Sequence, residues 1–328
     1  QLNTKSPDGL ALLRQLVAKS DIVLNNLRPG AMERSGLGYE DLRKIKPDII
    51  SVSIKMWGND GPFAYQTGYA PCFASLAGFN HLVGYEGEPP AGINIRYGDA
   101  SVGANAAFGA IVALLHRERT GEGQFVDVSA VESLSSLVGD SLLEYSLTGR
   151  IPGPDGNRHA EMAPHGCYPC RDGEWLSLAV ASDAEWRSLC AVLGRADLAN
   201  DARFSTLENR QEHRKVLDEL LSSLTREHNA NELAARLRAE GIGAFKSHSS
   251  IDVIQDDYLW SRGIFTSVTH ELTGSRHIVG APWHMSKTVP TISHGAPSLG
   301  EHNEYVYCDI LGLSRSKLKE LVEAGIVN

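Results

Sequence analysis

An aspartate at the start of a helix rich in small residues is the strongest candidate for chemistry in this sequence. Asp99 follows Gly98 in the stretch YGDASVGANAAFGAIVALLHRER, in which glycine and alanine recur. Small residues let another backbone pack closely, and a helix N-terminus favours the charged form of a carboxylate. On spacing alone, an ordinary N-cap is the simpler interpretation of Asp99. Its surroundings must decide between a cap and a reactive carboxylate.

Polar side chains follow two segments that are predicted as buried strands. The segments are Asp21–Asn25 and Asp48–Ile54, and a predicted helix, Tyr39–Ile45, lies between them. Strand, helix and strand at this spacing favour an α/β unit with parallel strands. Ligands of such sheets bind beyond the carboxyl ends of the strands. Those ends carry Asn26, Arg28 and Arg34 after the first strand, and Lys55 after the second. For Lys55 alone, a solvated charge in a surface turn is the plainer interpretation.

The order of predicted elements divides the chain into two domains and a tail. Residues 1–150 form a large α/β domain, with a third strand at 124–129 and a long helix from 130 to 147. The segment GRIPGPDGNRH, rich in glycine and proline, is typical of a linker. Residues 151–260 form a small α+β domain, which contains a hairpin at Asp172-Gly173 and a capping box at Ser182. Residues 261–328 carry strand-like pieces and a final helix, Ser314–Ala324.

Composition narrows the classes of partner. The chain has 328 residues, of which 42% are hydrophobic, and a formal net charge of -9 without a basic block. Duplex nucleic acid and an anionic membrane surface are therefore not expected as main partners. The sequence shows no apolar run near the roughly 20 residues that span a bilayer, and we expect no membrane association. The histidines do not fall at metal-ligand spacing, so no metal site is predicted.

The cysteines favour a reduced, cytoplasmic protein. The five residues, Cys72, Cys167, Cys170, Cys190 and Cys308, form no framework typical of secreted domains. Cys167 and Cys170 make a C-x-x-C, which could indicate redox chemistry or half of a zinc site. This pair has no matching second pair and lies in a predicted strand that enters a hairpin. A structural role is therefore the preferred interpretation.

An ordered set of motifs resembles one known family. The segments DIVLNNLRPGAMERSGLGYEDL, SVSIKMWGNDGP, GYAPCFASLAG, YGD and RERTGEGQFVDVS, followed by GNRH, DGEWLSLAV, LGRADLANDARFSTLENR and SLGEHN, are similar to the class III CoA-transferases of the CaiB/BaiF type. Formyl-CoA transferase and carnitine CoA-transferase belong to this group. Each motif alone has modest specificity, whereas the ordered set covers nearly the whole chain.

The resemblance implies a fold and a set of site residues. It implies a Rossmann-like large domain with an inserted small α+β domain, so that residues 261–328 return to the large domain. It also implies two chains interlocked as a homodimer. Asp99 matches the catalytic aspartate of the family. The resemblance places the CoA-binding residues at Asn26, Leu27, Arg34, Lys55, Tyr69 and Gly98. The substrates would be an acyl-CoA and a small carboxylic acid, with coenzyme A as the group transferred.

The residue type fits the chemistry that the resemblance implies. Attack of a carboxylate on an acyl-CoA thioester gives a reactive mixed anhydride. The released thiolate can then attack the aspartyl carbonyl and leave CoA on Asp99 as a thioester. An incoming carboxylate accepts the CoA through a second anhydride. Backbone amides near Gly98, or from a facing glycine-rich segment, would have to stabilise the oxyanions.

Departures from the family pattern leave two alternatives open. The chain begins at Gln1 inside a helix pattern, so we expect that a first segment of the family, with part of the CoA pocket, precedes it. Ala70 replaces the acid of the G-Y-[DE] motif, and the many-glycine loop of formyl-CoA transferase has GPDGNRH as its nearest counterpart. One alternative is an acyl-CoA racemase of the same superfamily, although Tyr69 stands where the racemases place a histidine base. The other is a non-catalytic CoA-binding subunit.

Overall fold

The computed structural model describes residues 1–92 and 97–328. These residues form two compact units. The first consists of Gln1–Asp155 and Ala296–Asn328, and the second is Gly156–Gly295. The second unit extends past residue 260, where the sequence analysis ended the small domain. The ring of Trp260 contacts those of Phe265 and His277, with centroid distances of 5.3 Å and 4.9 Å. These contacts attach the hairpin that follows to the second unit.

The described strands form three sheets. The first unit holds a parallel sheet in the order β1-β2-β3, which confirms the predicted α/β arrangement. The second unit holds an antiparallel sheet, β4-β5-β6, and the hairpin β7-β8. In chain order the strands are β1 (Ile22–Asn25), β2 (Ile50–Lys55), β3 (Phe125–Ser129), β4 (His165–Pro169), β5 (Trp175–Ala179), β6 (Gly243–Lys246), β7 (Phe265–His270) and β8 (Gly274–Val279).

Helices connect and cover these strands. In chain order they are α1 (Pro7–Ala18), α2 (Ala31–Arg34), α3 (Tyr39–Ile45), α4 (Ala70–Leu76), α5 (Tyr97–Thr120), α6 (Ala130–Ser135), α7 (Gly139–Thr148), α8 (Asp183–Val192), α9 (Leu207–Glu212), α10 (Arg214–Thr225), α11 (Ala230–Ala239), α12 (Ser250–Ile254), α13 (Asp257–Ser261) and α14 (Arg315–Glu323). Short 3-10 turns follow at Phe79–Leu82, Ser136–Val138 and Ala196–Asn200, and a π-helical turn covers Tyr305–Ile310.

The parallel sheet has a hydrophobic cluster on each face. Ile22 packs in the cluster built on α5 and α6, whereas the next residue, Val23, packs with the cluster of α1 and α3. Neighbouring residues of a strand point to opposite faces, so both faces of the sheet are covered. The sheet is therefore held firmly, and side chains at its carboxyl edge have a fixed base.

The small residues of α5 allow it to lie close to the sheet. Gly98, Val102, Ala106, Ala110 and Ala113 are buried along one face of the helix. A Cβ on the nearby Gly109 would lie 3.1 Å from Val126 of β3. The sequence therefore builds α5 for close contact with β3.

The opposite face of α5 is apolar and exposed. Phe108 is 68% and Ile111 is 64% exposed, and Val112 and Leu115 lie beside them. By length and composition α5 is long and apolar enough to cross a membrane, which the sequence analysis did not predict. Core helices of globular proteins meet the same criterion, and one face of α5 packs on β2 and β3.

The predicted helix over 130–147 is interrupted. α6 ends at Ser135, a 3-10 turn covers Ser136–Val138, and α7 begins at Gly139. The Ser136 hydroxyl donates to the carbonyl of Ser133 at 2.9 Å. Serine side chains that bond back to the chain compete with the regular helix, which accounts for a break that hydrophobic spacing does not reveal.

The core of the second unit surrounds the sheet β4-β5-β6. Leu176, Leu178 and Trp186 are buried there with residues of α10 and α11. Cys170 also belongs to this cluster, and burial raises the pKa of its thiol. Cys167 is exposed. The C-x-x-C is therefore split between the core and the surface.

Candidate active site

A cavity of about 910 Å³ opens at the carboxyl edge of the parallel sheet. Its walls come from the loops after β1 and β2, from α4, and from the first turn of α5. It brings together most of the residues that the sequence analysis selected: Asn26, Leu27, Lys55, Tyr69, Gly98 and Asp99. Arg34 is absent from the lining. The first unit alone contributes these walls.

Asp99 lies in the first turn of α5, not at its N-cap. The helix begins at Tyr97, so Asp99 is its third residue, and the cap position falls outside the described residues. The N-cap interpretation is therefore wrong. The Asp99 side chain is exposed to the cavity, and within residues 1–92 and 97–328 the structure shows no hydrogen bond or ion pair that engages its carboxylate. Its oxygens are accessible to a ligand.

Gly98 allows the close packing beneath this carboxylate. A Cβ at Gly98 would lie 2.8 Å from Cε2 of Phe73 and 3.5 Å from Cδ1 of Leu134. Real Cβ atoms do not approach as closely as the first distance, so only glycine admits the Phe73 ring here. Phe73 is buried on α4 and Leu134 on α6. The first turn of α5, and Asp99 with it, therefore packs against two helices, α4 and α6.

Lys55 ends β2 and is buried, with 8% of its surface exposed. Its ammonium donates to Oδ1 of Asn25 at 3.0 Å and to the carbonyl of Leu27 at 2.6 Å. Burial lowers the pKa of Lys55, while the charges of Glu33 and Asp127 raise it. The Lys55 ammonium therefore binds the end of β1 and the loop that follows it.

Arg34 makes a further contact with the loop after β1. Nη1 of Arg34 donates to the carbonyl of Pro29 at 3.3 Å. Arg28 is exposed and lines the cavity. The sequence placed Arg28 at the right edge of the sheet, because it closely follows β1, but did not select it as a site residue.

The loop between β2 and α4 forms another wall, and a carboxylate of β3 fixes its start. Oδ2 of Asp127 accepts the backbone N–H of Asn59 at 2.8 Å, and Oδ1 of Asp127 accepts the Asn59 amide. Trp57, two residues before Asn59, donates from Nε1 to Oε1 of Gln66 at 3.2 Å. Tyr69 ends the loop as the residue before α4, and 79% of its surface is exposed.

Comparison with known proteins decides the family. The sequence pattern described as CoA-transferase family III matches residues 1–303. The chain belongs to CoA-transferase family III. The resemblance found in the ordered motifs is therefore confirmed.

Relatives in this family have named activities. A succinyl-CoA–D-citramalate CoA-transferase of Chloroflexus aurantiacus is 32% identical over 326 residues, which is 99% of this chain and 81% of the relative. A succinate–glutarate CoA-transferase of Agrobacterium fabrum is 30% identical over 95% of this chain and 78% of its own length. The crystal structure of a CaiB/BaiF family protein from Brucella suis superposes with a TM-score of 0.88 at 28% identity, over 94% of this chain and 80% of that one.

Aromatic residues of this CoA-transferase family III site escaped the sequence analysis. Phe79 and Tyr97 stack with ring centroids 5.5 Å apart, and both line the cavity. They come from a 3-10 turn and from the first residue of α5, which are far apart in sequence. Only the adjacency of Tyr97 to Gly98 and Asp99 could have indicated it. Within the described parts of the chain, no cluster of His, Cys, Asp and Glu could hold a metal ion.

Proposed function

We propose that this chain transfers CoA from an acyl-CoA to a carboxylic acid, with Asp99 as the nucleophile. The observation that carries the proposal is the exposed carboxylate of Asp99 in the cavity at the sheet edge, beside the loop Asn26–Pro29. Within residues 1–92 and 97–328 no hydrogen bond or ion pair engages this carboxylate, so its oxygens are accessible to a substrate. Membership of CoA-transferase family III supports the assignment.

The first half of the reaction loads CoA onto the protein. An oxygen of Asp99 attacks the thioester carbonyl of the donor, and the carbon–sulfur bond breaks to release the CoA thiolate. The product is a mixed anhydride between Asp99 and the donor acyl group. The thiolate then attacks the aspartyl carbonyl, so the donor leaves as a free carboxylate and Asp99 becomes a CoA thioester.

The second half reverses these steps with the acceptor. The incoming carboxylate attacks the aspartyl thioester, the thiolate leaves, and a second anhydride forms. The thiolate attacks the acceptor carbonyl, which yields the new acyl-CoA and restores the Asp99 carboxylate. Backbone N–H groups near the start of α5, that of Gly98 among them, are candidates to stabilise the oxyanions.

The same site supplies the proposed CoA contacts. Asn26, Leu27 and Tyr69 line the cavity and can contact the ligand directly. Gly98 lets Phe73 and Leu134 pack next to the residue before Asp99. Arg34 and Lys55 belong to the proposal through the loop after β1, since both donate to its backbone carbonyls. An anionic ligand suits this edge, where Arg28 is exposed.

The proposal includes the architecture that the resemblance implies. The first unit corresponds to a Rossmann-like domain, and the second is a small domain inserted between Asp155 and Ala296. The working form is an interlocked homodimer. Its support is the apolar face of α5 together with α7, where Leu142, Leu143 and Leu147 are exposed. Apolar faces of this kind are typical of obligate interfaces. We propose that the protein works in the cytoplasm, apart from nucleic acid and membranes.

The dimer predicts a mass and a response to charge. Light scattering of the protein should give twice the mass of one chain. The interface should bury more than about 2,000 Å², as obligate dimers do. Val112→Glu should weaken the dimer, because it places a carboxylate in the apolar interface. Val216→Glu is the matched control, since Val216 is 44% exposed on the second unit and Val112 is 48% exposed. The mass of a single chain at all concentrations would reject the dimer.

The proposed function is tested directly by an assay of CoA exchange. The names of the two relatives make succinyl-CoA the first donor, with citramalate and glutarate as the first acceptors. We expect a new CoA thioester that forms only when donor, acceptor and protein are together, detected by chromatography and mass spectrometry. Hydrolysis without transfer, over a panel of donors and acids, would refute the proposal. Exchange of the donor α-proton in heavy water without transfer would instead favour the racemase alternative.

A further inference from the structure

Lys55 is an unusual residue for this cavity, because its charge is buried and its visible partners are neutral. Within the described residues its ammonium shows no carboxylate at ion-pair distance, and it donates to the amide oxygen of Asn25 and the carbonyl of Leu27. Burying a cation is costly unless it is well satisfied by hydrogen bonds. Two of the three N–H groups of the ammonium are committed to these oxygens. At most one remains for any ligand.

The two acceptors tie adjacent parts of the chain together. Asn25 is the last residue of β1 and is buried, and it does not line the cavity. Leu27 lies two residues farther, in the loop whose residues Asn26, Leu27 and Arg28 do line it. Lys55, at the end of the neighbouring strand, therefore fixes both the start and the middle of this loop. Charge-assisted hydrogen bonds of this kind are stronger than those between neutral groups.

We propose that Lys55 is a positioning residue, which clamps the loop after β1 so that this loop can bind the CoA ester. The inference rests on the proposed function and adds a role to it. In this view Lys55 acts on the ligand through Asn25 and Leu27. The alternative is that the ammonium binds a phosphate of CoA directly and meets the loop only incidentally.

Asn25 separates these two roles, because it touches the clamp and lies outside the cavity lining. If Lys55 is a clamp, Lys55→Met and Asn25→Leu should each raise the Michaelis constant for acyl-CoA about tenfold, since a small displacement of a binding group is costly. The Michaelis constant for the acceptor acid should stay unchanged. The Michaelis constant of the double variant for acyl-CoA should not exceed that of the more impaired single variant, because both changes break the same contact. Lys44→Met, an exposed lysine on α3, is the matched control.

Hydrogen–deuterium exchange measures the clamp without an assay of activity. In folded Lys55→Met and Asn25→Leu proteins, exchange should rise in the peptide that covers residues 24–31 and stay unchanged around α14. This measurement remains valid if the wild-type protein transfers no CoA, a result that would refute the proposed function alone. The clamp is overturned if Asn25→Leu leaves the acyl-CoA constant at the wild-type value while Lys55→Met raises it. Unchanged exchange of residues 24–31 in both variants would overturn it as well.

Discussion

The Asp99→Asn protein is expected to fold normally and to transfer no CoA. An amide is a very weak nucleophile and cannot form the anhydride that the reaction requires. The fold should tolerate the change, because Asp99 is exposed and the described structure shows no bond from its carboxylate. The charge at the start of α5 contributes at most about 1 kcal/mol at an exposed position. Asp99→Glu should also lose most of the activity, because its carboxylate is displaced by one methylene.

The control for this prediction is an aspartate in a similar setting. Asp8 lies in the first turn of α1, is exposed, and does not line the cavity. Asp8→Asn should therefore keep the wild-type rate. Circular dichroism and thermal unfolding should match among wild type, Asp8→Asn and Asp99→Asn. If Asp99→Asn turns over at the wild-type rate, another group is the nucleophile.

Arg210→Met is expected to cause the largest loss of stability. Arg210 is fully buried in the second unit. Its guanidinium donates to the carbonyl of Ala163 at 2.6 Å, to that of Phe204 at 3.0 Å, and to Oδ1 of Asp183 at 2.9 Å. Methionine can fill much of the space but leaves these acceptors without a donor. We expect the free energy of unfolding of this unit to fall by about 3–5 kcal/mol.

Tryptophan fluorescence during urea unfolding measures this loss. Of the five tryptophans in the sequence, all but Trp57 lie in the second unit, so the fluorescence reports mainly on that unit. Arg203→Met is the control, because Arg203 pairs with Asp201 and its side chain is 52% exposed. Exposed pairs contribute little to stability, so the control should unfold near the wild-type midpoint. Equal midpoints for the Arg210 and Arg203 variants would contradict the assigned role of Arg210.

The parallel sheet could be predicted because local pattern and tertiary structure agree there. The strands β1 and β2 are short apolar runs bounded by polar residues, and the helix α3 between them makes the parallel arrangement the natural one. Once the strands are placed, the carboxyl edge brings Asn26, Lys55 and Asp99 together. Strand β6 was missed because its order comes from pairing with β5, which lies about seventy residues earlier. A run of four residues, Gly243–Lys246, gives too weak a local pattern.

The finer geometry of the site depends on contacts that sequence spacing does not contain. Lys55 and Arg34 were both expected to bind CoA, and both donate to carbonyls of the loop after β1, but only Lys55 lines the cavity. Which oxygen a flexible cation binds is decided by the path of that loop. The cap interpretation of Asp99 was wrong because Tyr97 and Gly98, which precede it, already belong to α5. The packing of Phe73 on Gly98 arises only when α4 and α5 meet.

Trapping of the aspartyl thioester tests the central claim most directly. The wild-type protein would be incubated with succinyl-CoA or whichever donor the exchange assay identifies, treated with hydroxylamine, digested, and analysed by mass spectrometry. We predict a hydroxamate on the peptide that contains Asp99, formed only when the donor is present and absent from Asp99→Asn. A protein that transfers CoA and yet gives no hydroxamate at Asp99, or gives it at a different residue, would contradict the account.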